Sequence, residues 1–461
     1  MSPLLPRAFT ELKALLSIGI PILISQLAQM GMAVTDVIMA GNLSANDLAA
    51  VSIGASLWIP VMLLTAGILL ITSSMISNHH GARNAEKIVE TGQQGLWMGV
   101  WLGSLACLYL LNIHPILKYL QISPLVEAKT IGYLQGIAIS APVIGVHFAL
   151  RNYCEALTHT RPVMAITLVG MIFNIPMNML FMNGYLGIPA MGGAGCGWAT
   201  SVVNWALIFL LIAHTRKDPR YQSYFLYGRL ARPKWQIQQL IIRLGLPIGI
   251  AIFFETSLFS ALSLLVAKFG SVILSSHEIA HNISTIIFMI PLSLGMAITV
   301  RSSFLLGEQK FTEARLSAFT GMSLALFLAL LSFSFTLTFR LEVAGLYTSN
   351  QNVLSFAAYI LLFTAFFQFS DAIQVCSAGA LRAYKDTTYT MATTFLAYWV
   401  IGLPSGYLFA ETSFLTPALG APGYWLGVTA GLTCAAVLLS VRLWKLSGKY
   451  GTIVKNTDET F

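Results

Sequence analysis

The chain has 461 residues, of which 56% are hydrophobic and 10% charged, with a net charge of +8 and a mean hydropathy of +0.74. Soluble domains carry about 25% charged residues, so the composition excludes a soluble globular protein and specifies an integral membrane protein. The positive balance does not mark a nucleic-acid binder, because the cations form no stripe interleaved with aromatics and sit in short connections between apolar runs.

Apolar runs long enough to cross a bilayer, about 20 residues each, recur at 12–41, 46–78, 92–113, 128–151, 162–184, 191–215, 237–268, 274–302, 312–339, 351–379, 387–410 and 420–446. They predict an all-α, polytopic membrane protein with twelve transmembrane helices. The first run follows Pro3, Pro6 and Glu11 and exceeds the roughly 7–15 residue core of a signal peptide, so it is expected to stay as a span. Cys107, Cys154, Cys196, Cys376 and Cys434 are scattered through apolar segments without a Cys-x-x-Cys pattern and read as reduced packing residues.

All but four of the 26 Lys and Arg lie in the tails, in the even-numbered connections or, for Arg243, just inside the seventh run; the exceptions are Lys118, Lys129, Lys268 and Arg340. The positive-inside rule then puts both termini in the cytoplasm. The connection 216–236, with Arg216, Lys217, Arg220, Arg229, Arg232, Lys234, Pro219 and Pro233, is the longest and most basic. It reads as a cytoplasmic linker between lobes 1–215 and 237–461. Gly19 and Pro21 recur as Gly245 and Pro247 at an offset of 226, which Leu48/Leu274, Ile53/Ile279, Gly81/Gly307 and Tyr133/Tyr359 keep. The chain is thus two six-helix repeats. An even number of spans gives both repeats the same topology, related by an axis along the membrane normal, which is a transporter architecture.

Three carboxylates lie deep in the runs: Asp36, Glu255 and Asp371. A charge at a span centre costs at least ~2.5 kcal/mol on insertion scales, so each is a candidate functional group. Glu255 falls on Gln29 in the repeat and Asp36 on Leu262, so each half has its own polar centre. Asn174 and Asn178 share a helix face around Pro176, which opens backbone carbonyls, and Thr200 adds a hydroxyl. Such an oxygen set suits a hard cation such as Na⁺, and Asp36 could carry a proton instead. Asp371 and Glu255 have no Lys or Arg nearby in their own runs, which suggests a negative cavity admitting cations. Gln368 and Gln374 could line it, and the dense aromatics, Phe253, Phe288 and Phe367 among them, would favour flat, lipophilic cations.

His277-Glu278-Ile-Ala-His281 matches the His-Glu-x-x-His zinc pattern, and an intramembrane metalloprotease with Asp371 as third ligand is the corresponding reading. The bland reading is polar residues near the interface. Gly192-Gly-Ala-Gly-Cys-Gly197 opens a membrane helix without a preceding strand and reads as a tight turn with close helix packing. His79-His80 reads as a solvated cytoplasmic loop. The chain has no Walker motif for ATP hydrolysis.

Pro21-Ile-Leu-Ile-Ser-Gln-Leu-Ala-Gln29, Asp36-Val-Ile-Met-Ala-Gly41, Leu48-Ala-Ala-Val-Ser52, Asn174-Ile-Pro-Met-Asn178, Phe253-Phe-Glu255, Asp371-Ala-Ile-Gln374 and Gly379-Ala-Leu-Arg-Ala-Tyr-Lys-Asp386 together resemble the multidrug and toxic compound extrusion (MATE) family, NorM-like branch, from end to end. The resemblance implies a V-shaped pair of six-helix lobes that export lipophilic cationic drugs by Na⁺ or H⁺ antiport. It implies a first-lobe cation site at Asp36, Asn174, Asn178 and Thr200 and a second-lobe acidic site at Glu255 and Asp371. Gln29, Phe253, Phe288, Phe367 and Gln374 are the expected substrate contacts. Phe367 departs from the Tyr frequent in relatives and loses a hydroxyl there. The expected setting is a monomer in a bacterial inner membrane, contacting lipid and small cationic drugs, with no catalytic residues, bound metal or cofactor beyond the coupling ion. A lipid-linked saccharide flippase of related architecture is the alternative, which the acidic spans disfavour.

Overall fold

The computed structural model describes residues 4–222, 224, 226–228, 231–413 and 417–458, so Arg229 lies outside the described residues. The order is α1 (Leu4–Leu43), α2 (Ala45–Gly81), α3 (Ala85–Leu111), α4 (His114–Tyr119), α5 (Pro124–Ala156), α6 (Thr160–Asn183), α7 (Ala194–Lys217), α8 (Pro219–Gln222), α9 (Trp235–Ala267), α10 (Ser271–Gly307), α11 (Phe311–Gly345), α12 (Gln351–Ala383), α13 (Thr387–Phe395), α14 (Leu403–Glu411) and α15 (Ala421–Asp458). Eleven of these, among the described residues, are long and apolar enough to cross a membrane. The eleventh run, 387–410, is continuous helix too, but α13 and α14 are joined by a π turn, Leu396–Gly402, in which the Leu403 N–H reaches back to the Tyr398 carbonyl. Pro404 follows at once and has no N–H to give, which favours the wider turn.

Several helices outrun the apolar stretches that announced them, because polar turns continue the backbone ladder beyond the hydrocarbon-length core. His79 and His80 therefore form part of the half-buried last turn of α2, in place of the expected solvated loop. The repeat is visible in element lengths. α2 and α10 each have 37 residues, and α5 and α12 each have 33.

The helices pack as two compact units, residues 24–249 and residues 1–23 with 250–461. Each crossover lies inside a helix, after residue 23 in α1 and after residue 249 in α9, positions that share the 226-residue offset. Packing thus divides the chain differently from lobes bounded at 215 and 237: the start of α1 groups with the second repeat and the start of α9 with the first. Each transferred piece is tied down. Glu11 on α1 accepts two hydrogen bonds from the Arg301 guanidinium of α10, at 2.7 and 2.8 Å. Gln238 on α9 donates to the Gln94 carbonyl and side-chain oxygen of α3, at 2.9 and 2.8 Å.

The basic connection is folded onto its unit rather than hanging free. Gln93 donates to the Leu226 carbonyl at 2.9 Å and accepts from the Ala231 N–H at 3.1 Å, while the Trp97 indole donates to the Ala231 carbonyl at 3.0 Å. Tyr221 and Leu226 are buried in the core with Tyr153 and Cys154. The polar signal of its sequence was its solvated side; the apolar side fills the end of the unit.

Glycine lets α7 approach α5. A Cβ on Gly197 would lie 2.1 Å from the Tyr133 carbonyl oxygen, which has no rotamer to escape through. Gly197→Ala is expected to destabilise the protein by about 1–3 kcal/mol through forced separation of the helices. A lowered thermal midpoint of the purified protein in detergent checks this, and an unchanged midpoint contradicts it.

Candidate functional site

Two polar centres lie among the apolar helices, one in each unit. In the unit 24–249, Asp36 of α1 is buried and meets α6 and α7. Residues four apart on a helix share a face, so Asn174 and Asn178 both turn to the carboxylate. Asn178 Nδ2 donates to Asp36 Oδ1 at 2.5 Å, Asn174 Nδ2 to the same oxygen at 3.2 Å, and Thr200 Oγ1 to Asp36 Oδ2 at 3.1 Å. Asn178 Nδ2 also reaches Asn174 Oδ1 at 3.1 Å, leaving Asn178 Oδ1 buried without a hydrogen-bond partner. The four residues expected to form one site are therefore in direct contact.

The placement of α7 is itself built from the sequence. Gly192 has φ +58, the left-handed region, and the turn delivers the Gly193 N–H to Asp47 Oδ1 at 2.7 Å. The same carboxylate takes Lys129 Nζ at 2.6 Å and the Ser44 hydroxyl at 2.6 Å. This pins the start of α7 to α2 and α5, two turns before Thr200 presents its hydroxyl. The Cys196 thiol, one turn before Thr200, points at the Asp36 carbonyl at 3.7 Å. The glycine-rich stretch works as the expected turn, and Asp47 is the partner its sequence did not reveal.

In the other unit, Asp371 of α12 is buried, and Glu255 of α9 lies close enough for the two charges to interact. Tyr398, fully buried on the π turn, is within electrostatic reach of both carboxylates. Sequence reasoning missed it. An even α-helical periodicity through 387–410 gives Tyr398 no special face, and only the π turn singles it out. Trp399 beside it donates its indole N–H to the Phe254 carbonyl at 3.2 Å, fastening the π turn to the residue before Glu255.

Asp371 lines a small cavity with Ser284, Ile287, Phe288, Phe367 and Gln368. Ser284 Oγ and Gln368 Oε1 are buried there without hydrogen-bond partners, although Gln368 Nε2 donates to Thr336 Oγ1 at 3.3 Å. Pro291 has no N–H to give the Ile287 carbonyl one turn back. No Lys or Arg forms an ion pair with Asp36, Glu255 or Asp371 among the described residues. Carboxylates with spare neutral oxygens and no fixed counter-charge can take up a cation or a proton.

A family model described as MatE matches the chain twice, over residues 21–180 and 247–408, once in each repeat. The chain belongs to the MATE family. A multidrug resistance protein MdtK of Photorhabdus laumondii is 39% identical to it over 94% of this chain and 95% of its own. The same-named protein of Yersinia pseudotuberculosis is also 39% identical, over 95% and 96%. Among solved structures, a MATE protein in the bent conformation matches with a TM-score of 0.85 at 19% identity, covering 98% of this chain and 99% of that one. The eukaryotic MATE transporter AtDTX14 matches at 0.84 and 18%, covering 96% and 99%. These likenesses establish the fold, and as a MATE protein the chain is a transporter, not an enzyme.

The His-Glu-x-x-His stretch of this MATE protein, a transporter, is not a protease centre, and its first histidine is committed within the fold. The Trp425 indole donates to His277 Nδ1 at 3.2 Å, and Nε2 faces Ser263 Oγ at 3.3 Å, so both ring nitrogens are engaged. Among the described residues no three His, Cys, Asp or Glu gather where a metal could be held. Of the expected substrate contacts, Gln29 is half-buried on α1, Phe253 is exposed on α9, and Phe288 and Phe367 line the Asp371 cavity. Gln374 is buried on α12, outside the lining of that cavity, with its Oε1 unpartnered. Phe367 also packs edge-on against Phe259 and Trp425, ring centroids 6.3 and 6.0 Å apart.

Tyr398→Phe is expected to lower cation-driven transport severalfold while leaving the thermal midpoint nearly unchanged, because it deletes one hydroxyl and keeps the buried ring. Transport equal to the parent at saturating cation would remove Tyr398 from the site.

Proposed function

We propose that this chain is a secondary multidrug efflux antiporter that exports lipophilic cationic drugs in exchange for Na⁺ or H⁺. The observation that carries this reading is Asp36, buried among Asn174, Asn178 and Thr200 with no basic partner. A structural carboxylate inside apolar helices would be expected to carry a counter-charge, whereas an exchangeable cation needs the place left open. Glu255 and Asp371 supply a second negative centre, next to the aromatic rings of Phe288 and Phe367, suited to flat organic cations. The multidrug names of the MdtK relatives support the substrate class.

In the mechanism, cation uptake at Asp36 from outside alters how α1, α6 and α7 hold the carboxylate and promotes release of the drug. Exchange of cation for drug on the cytoplasmic side resets the cycle. Each elementary charge moving inward across 100 mV contributes about 2.3 kcal/mol, and a cation gradient adds to it. The Lys and Arg distribution supports cytoplasmic termini, and the reading places a monomeric carrier in a bacterial inner membrane. A flippase for lipid-linked saccharides needs cationic residues for the pyrophosphate, and these centres carry carboxylates.

Efflux of a fluorescent organic cation from proteoliposomes, under an imposed Na⁺ gradient or an imposed pH gradient, tests the proposal. At least one gradient is expected to drive efflux, and the other, if inert, drops out of the mechanism; failure of both overturns antiport. Asp36→Asn, at parental expression, is expected to lose at least about tenfold of the driven rate, the kinetic equivalent of one lost charge-assisted contact. Normal efflux by that variant would falsify the assignment of Asp36.

A further inference from the structure

The unit 24–249 buries an ion pair that closes within one helix. Arg151 and Glu155 are four apart on α5, both buried, and Arg151 Nε donates to Glu155 Oε1 at 2.6 Å. Residues at that spacing already share a helix face, so the pair itself joins α5 to nothing else. Replacing a buried ion pair by well-packed apolar side chains is often neutral or stabilising. What an apolar pair could not supply is the rest of the guanidinium, a planar fork with five donors. Its Nη2 leaves the pair and donates to Gln26 Oε1 of α1 at 3.0 Å.

α5 is suited to be the fixed side of that contact. One residue after Arg151, Asn152 donates to the Leu69 carbonyl of α2 at 2.9 Å. A Cβ on Gly145 would lie 2.1 Å from the Gly99 carbonyl oxygen, so α5 and α3 meet backbone to backbone. α7, which carries Thr200, rests on α5 through Gly197. On α1, Gln26 stands within one turn of residue 24, where the helix enters this unit. Asp36 follows ten residues later, about 15 Å along the axis. The segment between them is held at two heights, by α5 at Gln26 and by Asn174, Asn178 and Thr200 at the carboxylate. A helix gripped at one height can turn and tilt about that point, and a second grip removes both motions. Binding constellations need their groups within about 0.5 Å and 10–20° of the productive geometry.

We propose that Arg151 is a positioning residue for the Asp36 centre: by holding Gln26 it sets the rotation and height at which α1 presents the carboxylate to α6 and α7. This rests on the reading of Asp36 as the site of the coupling cation. Glu155 neutralises the guanidinium and fixes its plane, which leaves Nη2 for α1.

Ethidium efflux from proteoliposomes, measured against the concentration of the cation that drives the parent, tests the role. The cation-dependent rise of the thermal midpoint in detergent gives the same half-saturation without transport. Gln26→Leu removes the acceptor and keeps the Arg151–Glu155 pair. It is expected to raise the half-saturating cation concentration about fivefold and leave the maximal rate within about twofold of the parent. Arg151→Met combined with Glu155→Gln withdraws both charges, so neither is left buried alone, and is expected to give the same shift. Gln26→Glu offers the guanidinium an oxygen again and is expected to keep the parent's half-saturation. A lowered thermal midpoint with unchanged half-saturation in Gln26→Leu and in the double variant overturns the positioning role, as does Gln26→Glu behaving like Gln26→Leu. Asp36→Asn separates the two readings. If it keeps the parent's cation dependence, the reading of Asp36 falls and the role of Arg151 with it; if it loses that dependence while Gln26→Leu keeps it, the role of Arg151 alone falls.

Discussion

A charge buried among apolar helices must be answered, and the way each one is answered sorts this molecule into scaffold and machinery. Five acidic side chains are buried among the described residues: Glu11, Asp36, Asp47, Glu155 and Asp371. Glu11 is held by Arg301, Asp47 by Lys129 and Glu155 by Arg151, the last pair reaching Gln26 as well. A buried pair of this kind fixes geometry, because removing one partner leaves an uncompensated charge costing several kcal/mol, about 3–5 in measured cases. Asp36 and Asp371 have no such partner. The chain therefore pairs three of its buried carboxylates with a base and leaves two without one among the described residues.

The two repeats make this choice with different chemistry. Around Asp36 the answer is three neutral donors from α6 and α7, a cage that holds the carboxylate and retains spare oxygens. Around Asp371 the nearby Glu255 adds a like charge instead of answering it, and unpartnered Ser284 and Gln368 atoms line the cavity beside it. Two helix pairs keep equal lengths, α2 with α10 and α5 with α12, while the π turn and the side chains of the centres mark where the repeats diverge. Under the proposed antiport, an inorganic cation and an organic one would give reason to keep two unlike centres on one framework.

Much of this was legible before the structure, and for identifiable reasons. Spans are legible because hydrocarbon thickness imposes length, and the Asp36 cage because Asn174 and Asn178 are spaced four apart on either side of a proline. Tyr398 was not legible, since a π turn shifts the register that any periodicity argument assumes. The fate of His277 was not legible either: its Nδ1 accepts from an indole of Trp425, remote in sequence.

The exchange of helix segments between the units has a consequence for dividing the chain. The unit 24–249 includes the beginning of α9, which belongs to the second repeat, and residues 1–23 group with 250–461. A cut in the basic connection would therefore yield two fragments that each retain a segment packed in the other's unit.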